Sequence, residues 1–325
     1  MICRCVAFWC EGWDSDPYAL RRQLLRLVRL PIPPPSPAVP CPGRRPEKLE
    51  KNNVLYPRVA VGHYENFPVA SLLLPKDLRS PIEVIYRFAR SADDIADEGD
   101  AAPDARLARL SAYRAELERI ACGEPPREPL FDEVARIVAR HGLPLKLFKD
   151  LLDAFAQDVK QKSYRDFAQL VDYCRRSANP VGRLLLHLFK RTSERELEQS
   201  DAVCTALQLI NFWQDVPIDY AKGRIYLPED EMREHAVSER HIAEQRCDAA
   251  WISLMKYQVE RSRAMILRGA PLASSLPGRI GLEIRATIQG GLRILEKIER
   301  VDYDVFRRRP VLKALDWPGL LLRAL

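Results

Sequence analysis

The sequence predicts an all-α protein, a single large helical bundle built around a central cavity. Apolar residues recur every three or four positions through most of the chain, which is the helical period. No sustained alternation of apolar and polar residues, typical of strands, occurs, and the 325 residues include only 14 glycines. Because 47% of the residues are apolar, the chain can form a core large enough to surround a cavity.

The first clear helix carries both a start and a stop signal. Ser80 precedes Pro81, and Glu83 lies three residues after the serine, so we expect a capping box with helix onset at Pro81. Gly99 marks the end. Glycine or asparagine loops separate several later helices, which we predict at 103–122, 130–141, 144–161, 166–178, 180–191, 193–216, 238–267 and 276–299.

Composition divides the chain into three parts. Residues 1–52 form a proline- and cysteine-rich leader that we expect to be extended and solvated, because eight prolines lie between Pro31 and Pro46. Residues 53–305 form the helical domain. Residues 306–325 mix basic and apolar side chains, a composition that suits either contact with a membrane surface or packing on the bundle.

Charge and cysteine usage restrict the partners and the compartment. The net charge of +6 comes from 51 basic and 45 acidic residues spread along the chain, which does not indicate nucleic acid and suits an anionic substrate or an acidic membrane surface. The eight cysteines form no CxxC pair, so we expect reduced thiols. The sequence has no secretory signal and no span of about 18 apolar residues. We therefore predict a cytoplasmic protein, with peripheral contact at the inner membrane left open.

Two acidic segments point to a metal site. Asp97 follows Asp93 by four residues, so both carboxylates lie on one helical face, shared with Tyr86 and Arg90. Such an acidic face is often only solvated. The second segment, 211–219, is otherwise apolar and aromatic, however, and an unpaired carboxylate is costly in such surroundings.

The second segment repeats the spacing of the first. Asn211, Asp215 and Asp219 follow one another at intervals of four residues. Two helices that direct carboxylates at a shared space form a site for hard cations such as Mg²⁺, which usually hold a phosphorylated substrate. Pro217 interrupts this segment, so the alignment of Asp219 with Asp215 is less secure than that of the other acids.

A basic loop follows the second acidic segment. Arg224 is suited to bidentate phosphate binding and Tyr226 to hydrogen-bond donation, although a loop of this composition is also typical of an ordinary surface. Aromatic residues elsewhere can line a cavity that stabilises a carbocation, with core packing as the alternative for each. They include His63, Phe67, Tyr86 and Tyr173.

Five segments together resemble the squalene and phytoene synthase family, and more narrowly its bacterial hydroxysqualene synthase branch. In chain order they are HYENFPVAS at 63–71, YRFARSADDIADEGD at 86–100, YCRRSANPVG at 173–182, ALQLINFWQDV at 206–216 and GRIYLPEDEM at 223–232. The resemblance extends from about residue 55 to Pro318 and excludes the leader.

The resemblance implies an isoprenoid synthase fold and assigns roles to the residues in its motifs. Several Mg²⁺ ions, bound with the substrate diphosphate, would be held by Asp93, Asp97, Asp215 and Asp219, with support from Gln208 and Asn211. Diphosphate would be bound by Arg90, Arg224 and Tyr226. The pocket would be lined by His63, Phe67, Tyr86 and Tyr173, the two tyrosines acting with the aspartates in catalysis.

The implied reaction starts from presqualene diphosphate. Loss of diphosphate gives a carbocation that rearranges and is captured by water as hydroxysqualene, with no NADPH expected and with other enzymes of the squalene pathway as companions. One alternative is head-to-head condensation of two prenyl diphosphates, such as farnesyl diphosphate, to presqualene diphosphate, squalene or phytoene. Another is a non-catalytic assembly factor on the same fold.

Overall fold

The computed structural model describes residues 75–324, apart from the side chain of Leu321, and every regular element in this range is helical. The fold class is therefore confirmed. The α-helices are α1 Lys76–Asp97, α2 Pro103–Ala121, α3 Pro129–His141, α4 Leu145–Lys160, α5 Phe167–Ser177, α6 Asn179–Leu188, α7 Glu194–Gln214, α8 Val216–Ala221, α9 Glu229–Glu234, α10 Glu239–Ala243, α11 Ala249–Gly269, α12 Leu272–Ser275, α13 Gly278–Arg300 and α14 Trp317–Ala324, the last preceded by a 3₁₀ turn at Ala314–Asp316.

The predicted start of the first helix was wrong. Helix α1 begins at Lys76 after an N-cap at Pro75, so Ser80 and Pro81 lie inside the helix and form no capping box. Pro81 lacks the N–H that would bond to the carbonyl of Asp77, and because Asp77 is exposed its carbonyl can be solvated instead. The predicted stop is confirmed, since Gly99 follows the C-cap with a φ of +74°.

The single helix predicted for 238–267 was also wrong. Two helices, α10 and α11, occupy this range, and Gln245 between them has a φ of +51°, which a helix cannot contain. Asp248 then starts α11 by accepting a hydrogen bond from the backbone N–H of Trp251 at 3.1 Å. Helical periodicity continues across such a break, so the apolar pattern alone does not reveal it.

Helix α7 is the centre of the bundle. It packs against α5, α6, α11 and α13, and nearly every side chain from Ala202 to Gln214 is buried. A helix that is buried on all sides has no solvent face, so any polar side chain on it must be matched by the protein or by a ligand. The close approach of α11 requires Gly269, where an added Cβ would lie 2.5 Å from the carbonyl oxygen of Gln199.

A hydrophobic core around Phe88 holds helix α1, which carries the first acidic cluster, in place. Phe88 of α1 meets Phe131 of α3 and Phe148 of α4 edge to face, with ring centroids 5.9 and 5.1 Å apart. These contacts bury one side of α1, and Asp93 faces the interior as well, with 3% of its surface exposed. The orientation of the acidic side chains is thus set by the packing of the aromatic ones.

The segment after α13 returns to the bundle. Leu312, Trp317 and Leu320 are buried, and Asp316 accepts hydrogen bonds from Arg293 and Lys297 of α13. Leu315 and Leu322 are exposed, at 93% and 76%. Packing on the bundle is therefore observed, and the membrane contact of this segment stays a prediction.

Two of the pocket residues that the resemblance implies lie outside the described residues. These are His63 and Phe67, together with the whole predicted leader at 1–52. Within the part of the chain that the structure covers, no helix has the length and apolar character needed to cross a bilayer.

Candidate active site

The first acidic cluster lies on an unbroken helix. Asp93 and Asp97 are one turn apart near the end of α1, as the spacing predicted. Arg90 of the same helix contacts Asp94 at 2.9 Å and approaches Asp93 at 3.9 Å. Arg90, a predicted diphosphate ligand, therefore lies beside the carboxylates of the first cluster.

Asp97 is paired with a residue far away in the sequence. Arg224 donates two hydrogen bonds to its carboxylate, at 2.6 and 3.1 Å, and the ammonium of Lys222 lies 3.6 Å from it. Both Asp97 and Arg224 side chains are more than nine-tenths buried. Burial alone raises the pKa of Asp97, but the hydrogen bonds and charge of Arg224 outweigh it and hold that pKa well below its usual range.

The second acidic cluster lies on two helices. Helix α7 ends at Gln214, Asp215 is the residue between the helices, and Pro217 is the second residue of α8, where its missing N–H has no cost. The helix predicted for 193–216 thus ends at Gln214, and the break lies at Asp215 rather than at Pro217. Asp219 stays close to Asp215, because its backbone N–H donates to the carbonyl of Asp215 at 2.9 Å. Both aspartates are buried, with 0% and 3% exposed.

A C-terminal arginine pairs with the second cluster. Arg309 donates to the carboxylate of Asp215 at 2.6 Å. The segment that carries Arg309 is also bound at the next residue, because the side-chain amide of Gln214 donates to the carbonyl of Pro310 at 2.6 Å. The sequence interpretation missed Arg309, since nothing in the run of Arg307, Arg308 and Arg309 distinguishes one arginine from another.

Arg224 joins the two clusters. Its backbone N–H donates to the carbonyl of Asp219 at 2.9 Å, and its guanidinium binds Asp97. One residue in the basic loop thus contacts both acidic segments, which are more than 100 positions apart in the chain. That the two acidic segments form a shared metal site stays a prediction.

An aromatic cluster lies next to Arg224. The ring of Tyr226 stacks on that of Phe212 with centroids 3.8 Å apart, and Tyr164 and Tyr173 pack against it at 5.6 and 6.1 Å. The hydroxyl of Tyr226 is buried and has no hydrogen-bond partner among the described residues. A small cavity of about 10 Å³, room for about one water molecule, is bordered here by Phe212, Asp219, Arg224 and Tyr226.

The remaining predicted residues lie on α1, α5 and α7. Gln208 and Asn211 are buried on α7, seven and four residues before Asp215. Tyr86 is half-buried on α1, one turn before Arg90. Tyr173 is fully buried on α5 and donates a hydrogen bond to Asp158 at 2.8 Å.

Asp158 was not predicted from the sequence. It lies near the end of α4 with 2% of its surface exposed, and burial raises the pKa of its carboxyl to about 7. The signal available in the sequence was weak, a single acid on the apolar side of an amphipathic helix at 145–160.

The acids suit Mg²⁺ in chemistry. No group of three or more acidic, histidine or cysteine side chains in the described range is gathered closely enough to hold a metal ion. Mg²⁺, however, is usually bound by one or two carboxylates together with substrate phosphates and water, so a sparse set of oxygen donors fits it. Asp93, Asp97, Asp215 and Asp219 have buried side chains that are oxygen donors of this kind, and Asp97 and Asp215 are hydrogen-bonded to arginines.

A family model described as squalene/phytoene synthase matches residues 60–316. The chain belongs to the squalene/phytoene synthase family. The hydroxysqualene synthase of Rhodopseudomonas palustris is 33% identical over 240 residues, 73% of this chain and 80% of that protein. The hydroxysqualene synthase of Zymomonas mobilis is 43% identical over 175 residues, 53% of this chain and 57% of that protein.

A solved relative extends the comparison to structure. The crystal structure of the squalene synthase HpnC from Alicyclobacillus acidocaldarius is similar at a TM-score of 0.70 and 36% identity, covering 74% of this chain and 90% of that one. The predicted family, the isoprenoid synthase fold and the assignment as an enzyme of the squalene/phytoene synthase type are thereby confirmed.

Proposed function

We propose that this protein catalyses the Mg²⁺-dependent conversion of presqualene diphosphate to hydroxysqualene. The observation that carries the proposal is the meeting of two buried acidic segments at Arg224, beside an aromatic cluster. Relatives named hydroxysqualene synthase support the choice of reaction.

The acids and the arginines share the binding of the diphosphate. Asp93, Asp97, Asp215 and Asp219 would hold Mg²⁺, which when bound neutralises the diphosphate and assists its departure. Arg224 is suited to bind diphosphate oxygens bidentately, because its guanidinium already presents two donors to the carboxylate of Asp97. The pairs Asp97–Arg224 and Asp215–Arg309 offset the charge of these two buried acids.

The aromatic side chains would stabilise the carbocation. Phe212, Tyr164, Tyr173 and Tyr226 present ring faces and edges in one buried cluster. The face of an aromatic ring is electron-rich and stabilises a cation without reacting with it. Burial of these rings limits the access of bulk water, so capture by a single water can follow rearrangement.

The alternative reaction is head-to-head condensation of two prenyl diphosphates. The matched family model describes squalene and phytoene synthases together, which keeps this reaction as the second candidate. It uses the same acids and the same arginine, so the site alone does not separate the two reactions.

Substrate and product analysis tests the choice. Purified full-length protein is incubated with Mg²⁺ and either presqualene diphosphate or farnesyl diphosphate, and the extracted products are identified by mass spectrometry. We expect hydroxysqualene from presqualene diphosphate and loss of activity on chelation of the metal with EDTA. Turnover of farnesyl diphosphate without turnover of presqualene diphosphate contradicts the proposal and favours condensation.

A further inference from the structure

One buried acid has no part in the diphosphate site described above. Asp158 of α4 is 2% exposed, and none of the described lysine or arginine side chains forms an ion pair with its carboxylate. A carboxylate in such a position is costly unless another group compensates it. Its hydrogen-bond partner is a hydroxyl on the neighbouring helix α5.

That partner is the predicted catalytic residue Tyr173. The hydroxyl of Tyr173 donates to Oδ2 of Asp158 at 2.8 Å, and Tyr173 is itself 0% exposed. A phenol has only one hydrogen to donate. Because that hydrogen is directed at Asp158, the oxygen of Tyr173 offers only lone pairs to any other neighbour, and it can act there as an acceptor.

The surroundings connect the pair to the diphosphate site. Arg224 donates to the backbone carbonyl of Asp158 at 3.3 Å while it binds Asp97. The charged and titratable groups that face Asp158 are Arg224 and Tyr226 from the basic loop, Asp97 from α1, Tyr164 from the loop before α5, and Tyr173. With its pKa raised by burial to about 7, Asp158 can take and release a proton near neutral pH.

We propose that Asp158 is a positioning residue for Tyr173, one that orients the phenol as a proton acceptor and receives the phenol's own proton in turn. This inference rests on the proposed function. As water captures the carbocation, a bond forms between carbon and the water oxygen, and one water O–H bond breaks. The released proton passes to the oxygen of Tyr173 while the phenolic proton passes to Oδ2 of Asp158. The carbocation and the carboxylate become a neutral alcohol and a neutral acid.

The test replaces the acid without changing its shape. In full-length Asp158→Asn the amide keeps an acceptor oxygen but cannot take the proton. We expect kcat with presqualene diphosphate to fall about 100-fold, the range of general base catalysis, while KM changes less than about twofold. In a Tyr173→Phe background, Asp158→Asn is expected to cause no further loss of kcat, because the two residues act as one unit.

A structural role for Asp158 gives a different result. Losses that multiply in the double variant, or a kcat of Asp158→Asn within about twofold of the wild type, overturn the inference. Asp316→Asn is the matched control, since Asp316 is also a buried, hydrogen-bonded aspartate but contacts Arg293 and Lys297 instead. We expect the control to lower the melting temperature and to leave kcat unchanged.

Two further outcomes keep the test decisive. Should Asp158→Asn fail to fold, Tyr173→Phe is measured alone, and it must lose both kcat and the solvent deuterium isotope effect on kcat; retention of either overturns the inference. Failure of the wild type to convert presqualene diphosphate contradicts the proposed function. Wild-type turnover with an unaffected Asp158→Asn contradicts only the role of Asp158.

Discussion

The two acidic clusters have the same spacing in sequence but different structures. Asp93 and Asp97 lie on the continuous helix α1, whereas Asp215 lies between α7 and α8, and Asp219 is on α8. The countercharge differs as well. Asp97 is paired with Arg224, which is buried, whereas Asp215 is paired with Arg309, whose side chain is 29% exposed.

This difference shows that a four-residue spacing does not require a single helix. The short helix α8 continues from Asp215 through the bond between the N–H of Asp219 and the carbonyl of Asp215, so both acids stay buried despite the proline. In the first cluster the helix itself sets the alignment. In the second, the alignment depends on the helix break and on the packing of both pieces.

The largest expected effect comes from removing one acid from each cluster. Asp93→Ala and Asp215→Ala should each lower kcat about 10³-fold or more, because Mg²⁺ held by carboxylates supplies several kcal/mol of charge stabilisation in the transition state. Activity is measured with presqualene diphosphate, and folding by circular dichroism, which should be unchanged. Asp104→Ala on α2, an exposed acid outside both clusters, should retain full activity. Full activity in either cluster variant contradicts the assignment of that cluster.

The second largest effect is expected at the two arginines, and the loss of activity should be greater at Arg224 than at Arg309. Arg224→Lys keeps the charge but loses the bidentate geometry, so we expect kcat/KM to fall about 100-fold. Arg309→Lys replaces a residue that donates to Asp215 from a side chain with partial access to water, and we expect about a tenfold loss. Steady-state kinetics under matched Mg²⁺ concentrations measures both. Equal losses would show that the two clusters contribute alike.

The free energy of unfolding should fall more in Asp97→Asn than in Asp215→Asn, and the loss in Asp97→Asn should depend on pH. Asp97→Asn leaves Arg224 buried without its countercharge, and breaking such a pair costs about 3 kcal/mol at neutral pH. The folded-state pKa of Asp97 is lowered, so its contribution is present above the usual carboxyl pKa and is lost as pH falls through and below that value.

The measurement is urea unfolding of wild type, Asp97→Asn and Asp215→Asn at pH 7 and pH 3, the latter below the usual carboxyl pKa. We expect the deficit of Asp97→Asn to shrink on acidification and to exceed that of Asp215→Asn at pH 7, because Arg309 retains partial access to water. A deficit that grows at the lower pH has the wrong sign and contradicts the lowered pKa.

The smallest effect is expected at the proline. Pro217→Ala should change the free energy of unfolding by less than about 1 kcal/mol and leave kcat within about twofold, since Pro217 occupies a first-turn position where it removes no hydrogen bond. Ala96→Pro, in the last turn of α1 and between Asp93 and Asp97, removes a backbone N–H that the continuous helix uses and should cost about 3 kcal/mol. Thermal melts and kcat of both variants compare the second cluster, which spans a helix break, with the first, which lies on one helix. A large loss of kcat in Pro217→Ala would show that the break itself positions Asp219.

The sequence alone was sufficient for the all-α class, for most helix bounds within a few residues and for the acidic clusters, because helical periodicity, caps and glycine stops are local signals. It misplaced the start of α1 at Pro81 and joined α10 to α11, since a proline within a helix and a break at Gln245 leave the apolar period intact.

Only the tertiary structure showed how distant residues meet. The pairing of Arg224 with Asp97, of Arg309 with Asp215, and of Tyr173 with Asp158 joins segments that no local pattern connects. Which arginine of three reaches a carboxylate, and which buried acid faces a phenol, is decided by how the helices pack. Packing is a property of the whole bundle, because each buried charge is stable only where another element supplies its partner.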